Sequence, residues 1–488
     1  MTTTRLLPVL LLCLVAGTAR AQAPATRSLS LPEALTLGKA ASERTGIARA
    51  GVERARGQLK QARSELFPQL TGTASYTRTL ASQFSKAVNA DSNSTEPSEQ
   101  CRRFTADPTL PIGERLDSLE SAVACASRES PFAAFKDLPF GRKNQYNLGL
   151  QASQTLFAGG RIAGLSAAAA AGVRSAQIGL ASAEAQTALE VTQAYYDAVL
   201  ADRLALIADS TLAQAERTYQ NTRLGKEVGN VAEFDLLRAQ VARDNARPAV
   251  IARRSQRDVA YLRLKQLLEI PLADSLMLET PLGDAGDTLL PPPLAATHAD
   301  TGVEGRANVR LASEAVTAQE GRAKAARADA LPAVRLTSTY ARLGYPDDLF
   351  PSWSDFVSDW TVSLGVSVPL FTGGRLAGAR QAARADVDEA RLRLRQAREL
   401  AALDSRSTDA NLAAAVAAWA ASAGVVSQAE RAYDIAEVRY REGLSTQTEL
   451  GDARVQLQQA LANRAQSARD LQVARVRMAL LEDLPVGQ

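Results

Sequence analysis

Leu156-Phe157-Ala158-Gly159-Gly160-Arg161 and Leu370-Phe371-Thr372-Gly373-Gly374-Arg375 are one motif written twice, 214 residues apart. The same spacing carries Gln214-Ala215-Glu216-Arg217 and Tyr219 onto Gln428-Ala429-Glu430-Arg431 and Tyr433, and Gly229 onto Gly443. Upstream, Ala62-Arg63, Pro68, Thr73, Tyr76 and Arg78 recur as Ala326-Arg327, Pro332, Thr337, Tyr340 and Arg342 at a spacing of 264. The first copy therefore holds about 50 extra residues between Arg78 and Leu156. A duplication of this length constrains the architecture before any single element is assigned.

Each copy reads as a helix, two strands and a long helical hairpin. In copy one the first helix opens at Ser30-Leu31-Pro32-Glu33, a capping pattern with proline in the first turn. In copy two it covers 308–328. Each ends before a proline, Pro68 or Pro332. In the second strands, Tyr146, Leu148, Leu150 and Ala152 alternate with Asn147, Gly149, Gln151 and Ser153. Trp360, Val362, Leu364, Val366, Val368 and Leu370 alternate in the same way with Thr361, Ser363, Gly365 and Ser367. The first strands carry Thr71, Thr73, Ser75 and Thr77 opposite Leu70, Ala74 and Tyr76, with Val334, Leu336 and Tyr340 in copy two. Period-two alternation over about ten residues is the pattern of a membrane barrel strand, and equally of a half-buried sheet.

Proline-free helices follow, over 161–223 and 375–441. Ile178, Ala181, Ala185, Leu189, Tyr196, Leu200 and Ile207 keep a near-heptad spacing that predicts coiled-coil packing. After Gly229 or Gly443 a second helix returns, over 233–268 (with Pro248 expected to kink it) or 447–481. The chain thus divides into a signal peptide (1–21), a first repeat (22–270), a linker (271–300) and a second repeat (301–488). The linker is marked by Pro291-Pro292-Pro293, and the stretch of about 80–143 is read as a long polar loop.

Composition narrows the classes. Hydrophobic residues are 46% but aromatics only 5%, much of the balance being alanine, which favours long, closely packed helices. Arg5, the apolar run Leu6 to Val15 and Ala19-Arg20-Ala21 make an export signal, with the mature chain starting at Gln22. Cys13 follows Leu12, where lipid attachment favours a small residue. With Arg5 and Arg20 removed, 54 basic residues face 53 acidic ones, so nucleic-acid binding has no support. Cys101 and Cys125 remain, leaving open one disulfide or two free thiols. With His298 as its single histidine, the chain offers no catalytic or metal-binding constellation, and no cofactor is expected. No later stretch is read as a continuous apolar helix of membrane length.

An exported chain without such a helix enters a membrane only as strands. Four strands cannot close a barrel, and an open edge in lipid leaves backbone groups unsatisfied, so several chains would have to share one barrel. A periplasmic helical scaffold without a pore is the alternative.

In these features the chain resembles the TolC-type outer membrane efflux protein family (outer membrane factors). The resemblance rests on the Leu-Phe-x-Gly-Gly-Arg junction, twice, on Phe67-Pro68 and Leu331-Pro332, and on Arg439-Tyr440-Arg441-Glu442-Gly443-Leu444-Ser445-Thr446 with Glu449-Leu450. It implies an α+β membrane protein: a homotrimer whose 12-stranded β-barrel, four strands per chain, continues into a periplasmic helical tunnel. It implies a passive exit duct set in outer-membrane lipid, meeting a periplasmic adaptor (membrane fusion) protein and an inner-membrane pump of RND or ABC type. Asp235, Glu449 and Asp452 fall where the family narrows its tunnel, with Tyr440 as a closed-state partner. Arg238, at the position matching Asp452, would pair with a carboxylate. Gly229, Gly443, Leu444 and Ser445 would meet the adaptor, and Gly159, Gly160, Gly373 and Gly374 would join barrel to helix.

Overall fold

The computed structural model describes residues 26–81, 108–126, 143–282, 302–346 and 348–486. They form two compact units, one of 1–59, 167–320 and 384–488, the other of 60–166 and 321–383.

The second unit carries a four-stranded antiparallel sheet. Its strands are β2 (Gln69–Arg78), β3 (Asn144–Phe157), β5 (Ala333–Gly344) and β6 (Phe356–Ser367), in the order β2-β3-β5-β6. The register decides which side chains share a face. Gln69, Ser153, Thr337 and Ser363 form one row, and Thr71, Gln151, Thr339 and Thr361 another on the same side. Between them lies Leu70, Ala152, Ser338 and Val362, followed on that opposite side by Gly72, Leu150, Tyr340 and Trp360. Most of the large apolar side chains of each strand therefore fall on one side of the sheet, and most of the hydroxyl and amide groups on the other. The apolar side is open: Trp360 is 72% exposed, Val362 64%, Leu364 63% and Val366 63%.

Strand β6 starts earlier than the sequence indicated and stops at Ser367 instead of Leu370, because Pro369 has no N–H to continue the ladder. The long loop is not wholly irregular either: α3 (Ile112–Ala126) lies within it. Cys101 and the Cys125 side chain lie outside the described residues, as do 1–25, which include the stretch read above as an export signal.

In the first unit, Ser30 caps α1 (Leu31–Ala41) by accepting the Glu33 N–H, as its sequence indicates. The chain then breaks at Ser42 before α2 (Glu43–Ser64). Two short strands were not foreseen. β1 (Thr26–Leu29) pairs in parallel with β4 (Ser275–Leu278), which lies inside the stretch read as a linker. Their partners are some 249 residues apart, so no local pattern announces them. Tyr195 fastens this pair: its hydroxyl donates to the Leu29 carbonyl at 2.9 Å and accepts the Thr280 N–H at 3.0 Å. Leu29, Leu31, Val191, Leu264 and Val476 close the core around it.

The long helices are α4 (Arg161–Glu227), α5 (Glu233–Leu267), α7 (Arg375–Arg441) and α8 (Gln447–Ala479), and α6 (Ala307–Ala328) precedes β5. Both α4 and α7 are 67 residues long. One expectation is corrected here. Between Asp409 and Glu430 of α7 there is no charged residue, and the helix is long and apolar enough, by length and composition, to cross a membrane. Alanine supplies that hydropathy without forming a run of large apolar side chains, and the apolar stretch is almost wholly exposed.

Candidate functional site

The helical hairpins turn at Gly229 and Gly443, both with left-handed backbones (φ 80° and 72°) that a side chain resists. Both turns close in the same way. Gly229 N–H bonds the Lys226 carbonyl and Asn230 N–H the Gly225 carbonyl, at 2.9 and 2.8 Å. Gly443 N–H bonds Tyr440 and Leu444 N–H bonds Arg439, at 3.1 and 2.8 Å. This paired bonding satisfies the last carbonyls of a helix and forces the chain to reverse. The returning helices differ. Thr446 caps α8 by accepting the Glu449 N–H, whereas Ala232 leaves α5 without a side-chain cap.

Three contacts join the two hairpins near these turns. The Tyr440 hydroxyl lies 2.9 Å from Thr222 Oγ1. Thr222 spends its one proton on the Thr218 carbonyl, so Tyr440 is the donor. Arg238 donates to Thr448 Oγ1 at 2.7 Å. The Gln447 amide, oriented to match its neighbours, donates to the Asp235 carbonyl and accepts the Ala239 N–H, both at 2.8 Å. A cavity of about 120 Å³ beside these contacts is lined in part by Arg238, Thr448, Asp452 and Arg454. Burial holds the Arg454 guanidinium below its usual pKa.

The residues singled out from sequence thus fall into two groups. Tyr440 and Arg238 bridge the hairpins. Arg238, however, meets a hydroxyl and lies 5.6 Å from the Phe234 ring centre; among the described residues it forms no ion pair with a carboxylate. Asp452 lies one helical turn beyond Thr448 and is exposed, as is Glu449, while Asp235 is half-buried; within one chain these three carboxylates do not converge on a common contact. Leu444 is exposed, and the buried Ser445 hydroxyl has no partner among the described residues. Thr222, Gln447 and Thr448 escape sequence reading, because a threonine or glutamine in a helix carries no signal until its neighbour across the hairpin is known. Tyr440→Phe is expected to lower the local opening free energy by about 0.5–1.5 kcal/mol, seen as faster amide exchange at Gly225–Asn230 and Arg439–Leu444. Unchanged exchange there would show that the bond does not couple the hairpins.

At the other end of α4 and α7, Gly159 and Gly373 (φ 59° and 57°) and Gly160 and Gly374 (φ 88° and 86°) adopt the same two left-handed conformations. They carry each chain from its strand region into helix, and Arg161 and Arg375 bond back to Ala158 and Thr372.

Among the described residues no group of three or more His, Cys, Asp or Glu side chains is placed to hold a metal ion.

The family model described as outer membrane efflux protein matches residues 126–269 and 303–481. The outer membrane efflux protein BepC of Brucella suis is 23% identical over 373 residues, 75% of this chain and 76% of that protein. The toluene efflux pump outer membrane protein TtgF of Pseudomonas putida is 28% identical over 251 residues, about half of each chain. Among solved structures, the open state of the Neisseria gonorrhoeae MtrE outer membrane channel superposes with a TM-score of 0.68 at 19% identity, covering 92% of this chain and 88% of that one.

Proposed function

Because the chain belongs to the outer membrane efflux protein family, we propose that it is one subunit of a homotrimeric exit duct of a tripartite efflux or secretion system. Its outer-membrane location and its part in efflux come with the family. The finer reading rests on one observation: a four-stranded sheet with one predominantly apolar side and two edge strands, β2 and β6, each paired on one side only among the described residues. Such a sheet cannot stand alone in lipid, because the free N–H and C=O groups of its edges have no partner there. Three copies placed edge to edge close twelve strands with the apolar side outward and the hydroxyl side lining the lumen. The exposed alanine-rich surface of α7 supports the same reading, since helices of this length need neighbours to cover them.

In this arrangement the long helices form a tunnel through the periplasm. The turns at Gly229 and Gly443, with Leu444 and Ser445, meet a periplasmic adaptor, which couples them to an inner-membrane pump of RND or ABC type. Transport through the subunit is passive. Three-fold repetition of Asp235, Glu449 and Asp452 sets rings of carboxylates at the narrow end, and repeated charge at close quarters selects for cations. The hairpin contacts at Tyr440 and Arg238 hold that end narrow.

Single-channel recording in planar bilayers tests this. The protein is expected to form cation-selective pores, and Glu449→Ala with Asp452→Ala to raise conductance and reduce cation selectivity several-fold. Pores of unchanged conductance and selectivity remove the carboxylates from the gate. A wild-type protein that forms no pore supports a scaffold instead.

A further inference from the structure

On the apolar side of the sheet the register leaves two charged side chains among the described residues, Arg78 and Arg342. They stand at matched positions of the duplication, near the sheet end away from the Gly-Gly junctions. A guanidinium on a lipid-facing surface is tolerated near the interface, where it reaches water or an anion, and is costly deeper in.

Arg342 is held in a defined pose. Its guanidinium carbon lies 4.3 Å from the centre of the Trp353 ring, and its Nε donates to the Tyr340 hydroxyl at 3.2 Å. Trp353 packs 5.8 Å from Phe356, and Tyr76 and Tyr146 pair at 4.7 Å in the same row as Phe356. Tyrosine and tryptophan rings gathered at one level mark a membrane–water boundary. Among the described residues no carboxylate pairs with Arg342, and its two terminal nitrogens meet no acceptor.

We propose that Arg342, fixed by Trp353 and Tyr340 on the lipid-facing side of this aromatic belt, binds the phosphate of an anionic lipid headgroup in the outer leaflet. The inference rests on reading the sheet as part of a membrane barrel. The free edge of the guanidinium presents two parallel N–H donors, which match two phosphate oxygens. The contact with the Trp353 ring and the bond to Tyr340 already hold the guanidinium in place, so little freedom is lost on binding. Inward of Arg342 the same face continues as Leu150, Val362 and Leu364, which suits the acyl chains of the same molecule. Arg78 puts a second cation of this kind on the edge strand.

The test uses the full-length protein in detergent, first inserted into planar bilayers to establish pore formation. Native mass spectrometry then compares retention of lipid A with that of the same lipid after enzymatic dephosphorylation. Wild-type protein is expected to retain the phosphorylated lipid about tenfold better, and millimolar inorganic phosphate to leave that retention unchanged. Arg342→Gln is expected to erase most of the preference and Arg342→Lys to keep part of it. Arg335→Gln, on the polar side, is expected to leave it intact. Pore-forming wild-type protein that holds both lipids equally, or Arg342→Gln with the wild-type preference, overturns the inference. Displacement by inorganic phosphate also overturns it, in favour of a free-anion site. If Arg342→Gln does not insert, the two-lipid comparison on wild type decides alone. Absence of pores from wild type overturns the channel reading itself.

Discussion

Arg306→Ala is expected to cost about 3–5 kcal/mol of stability, the usual effect of stripping one partner from a buried ion pair. Arg306 is completely buried. Its Nη2 donates to the Asp404 carboxylate and its Nη1 to Ser405 Oγ at 3.2 Å, both on α7. Asp404 is 3.8 Å from Arg477 of α8, a weaker contact that cannot replace the first. The backbone is tied at the same point. Arg306 precedes α6 and its carbonyl accepts the Val309 and Arg310 N–H groups, while Ala307 N–H bonds the Glu482 carbonyl at 2.8 Å. Removing the guanidinium leaves a buried carboxylate where α6, α7 and α8 meet. Thermal melting of the detergent-extracted protein and its yield in the outer membrane measure the loss. Arg306→Met combined with Asp404→Leu should recover much of it, since an apolar pair avoids the desolvation that a lone charge suffers. The duplication supplies the control. Ser42 and Glu190 hold the matching positions of copy one. There Ser42 meets Thr187 at 3.0 Å, and Glu190 pairs with Arg44 at the surface at 2.6 Å. Arg44→Ala is expected to cost about 0–1 kcal/mol. Equal losses at Arg44 and Arg306 would show that burial does not set the cost.

Gly164→Val is expected to be the second severe change. A Cβ at Gly164 would lie 2.5 Å from the Gly321 carbonyl oxygen and 2.9 Å from the Ala325 nitrogen, both backbone atoms of α6. No rotamer change relieves such a clash, so the helices must part, at more than the about 1–3 kcal/mol of ordinary overpacking. Its counterparts make the prediction more informative. Gly378 matches Gly164, and Gly57 matches Gly321, yet a Cβ at Gly378 or Gly57 meets nothing within 4 Å among the described residues of the chain. In the trimer we propose, α2 of one subunit packs on the start of α7 in the next, as α6 packs on α4 within the chain. Gly378→Val should then leave the single chain folded and block trimer formation, whereas Gly164→Val should damage both. Size-exclusion chromatography with light scattering separates the outcomes, and a trimer of normal stability from Gly378→Val would rule out that packing.

Much of this was legible in the sequence because it is written in local patterns. The doubled Leu-Phe-x-Gly-Gly-Arg motif marks where strand gives way to helix, and the Gly-Gly pairs hold the positive φ angles that only glycine adopts cheaply. Uninterrupted helical sequence announced the long helices, and Gly229 and Gly443 announced their reversals. Period-two alternation located each strand of the sheet and sorted its residues into two faces.

What the sequence did not determine is which of those faces lie side by side, and which polar groups find one another. A strand's alternation fixes its two faces but not its register, and it is pairing across β2-β3-β5-β6 that puts every apolar half on one side, with Arg78 and Arg342 among them. The pairing of β1 with β4 and the burial of Arg306 on Asp404 join residues far apart in the chain. So do the bonds from Tyr440 to Thr222 and from Arg238 to Thr448. Each depends on the packing of elements that individually look self-sufficient. Local patterns record which face a residue belongs to; the partner it meets there is set by tertiary packing, because a hydrogen bond or ion pair requires two groups within about 3–4 Å, and the sequence alone did not bring these pairs together.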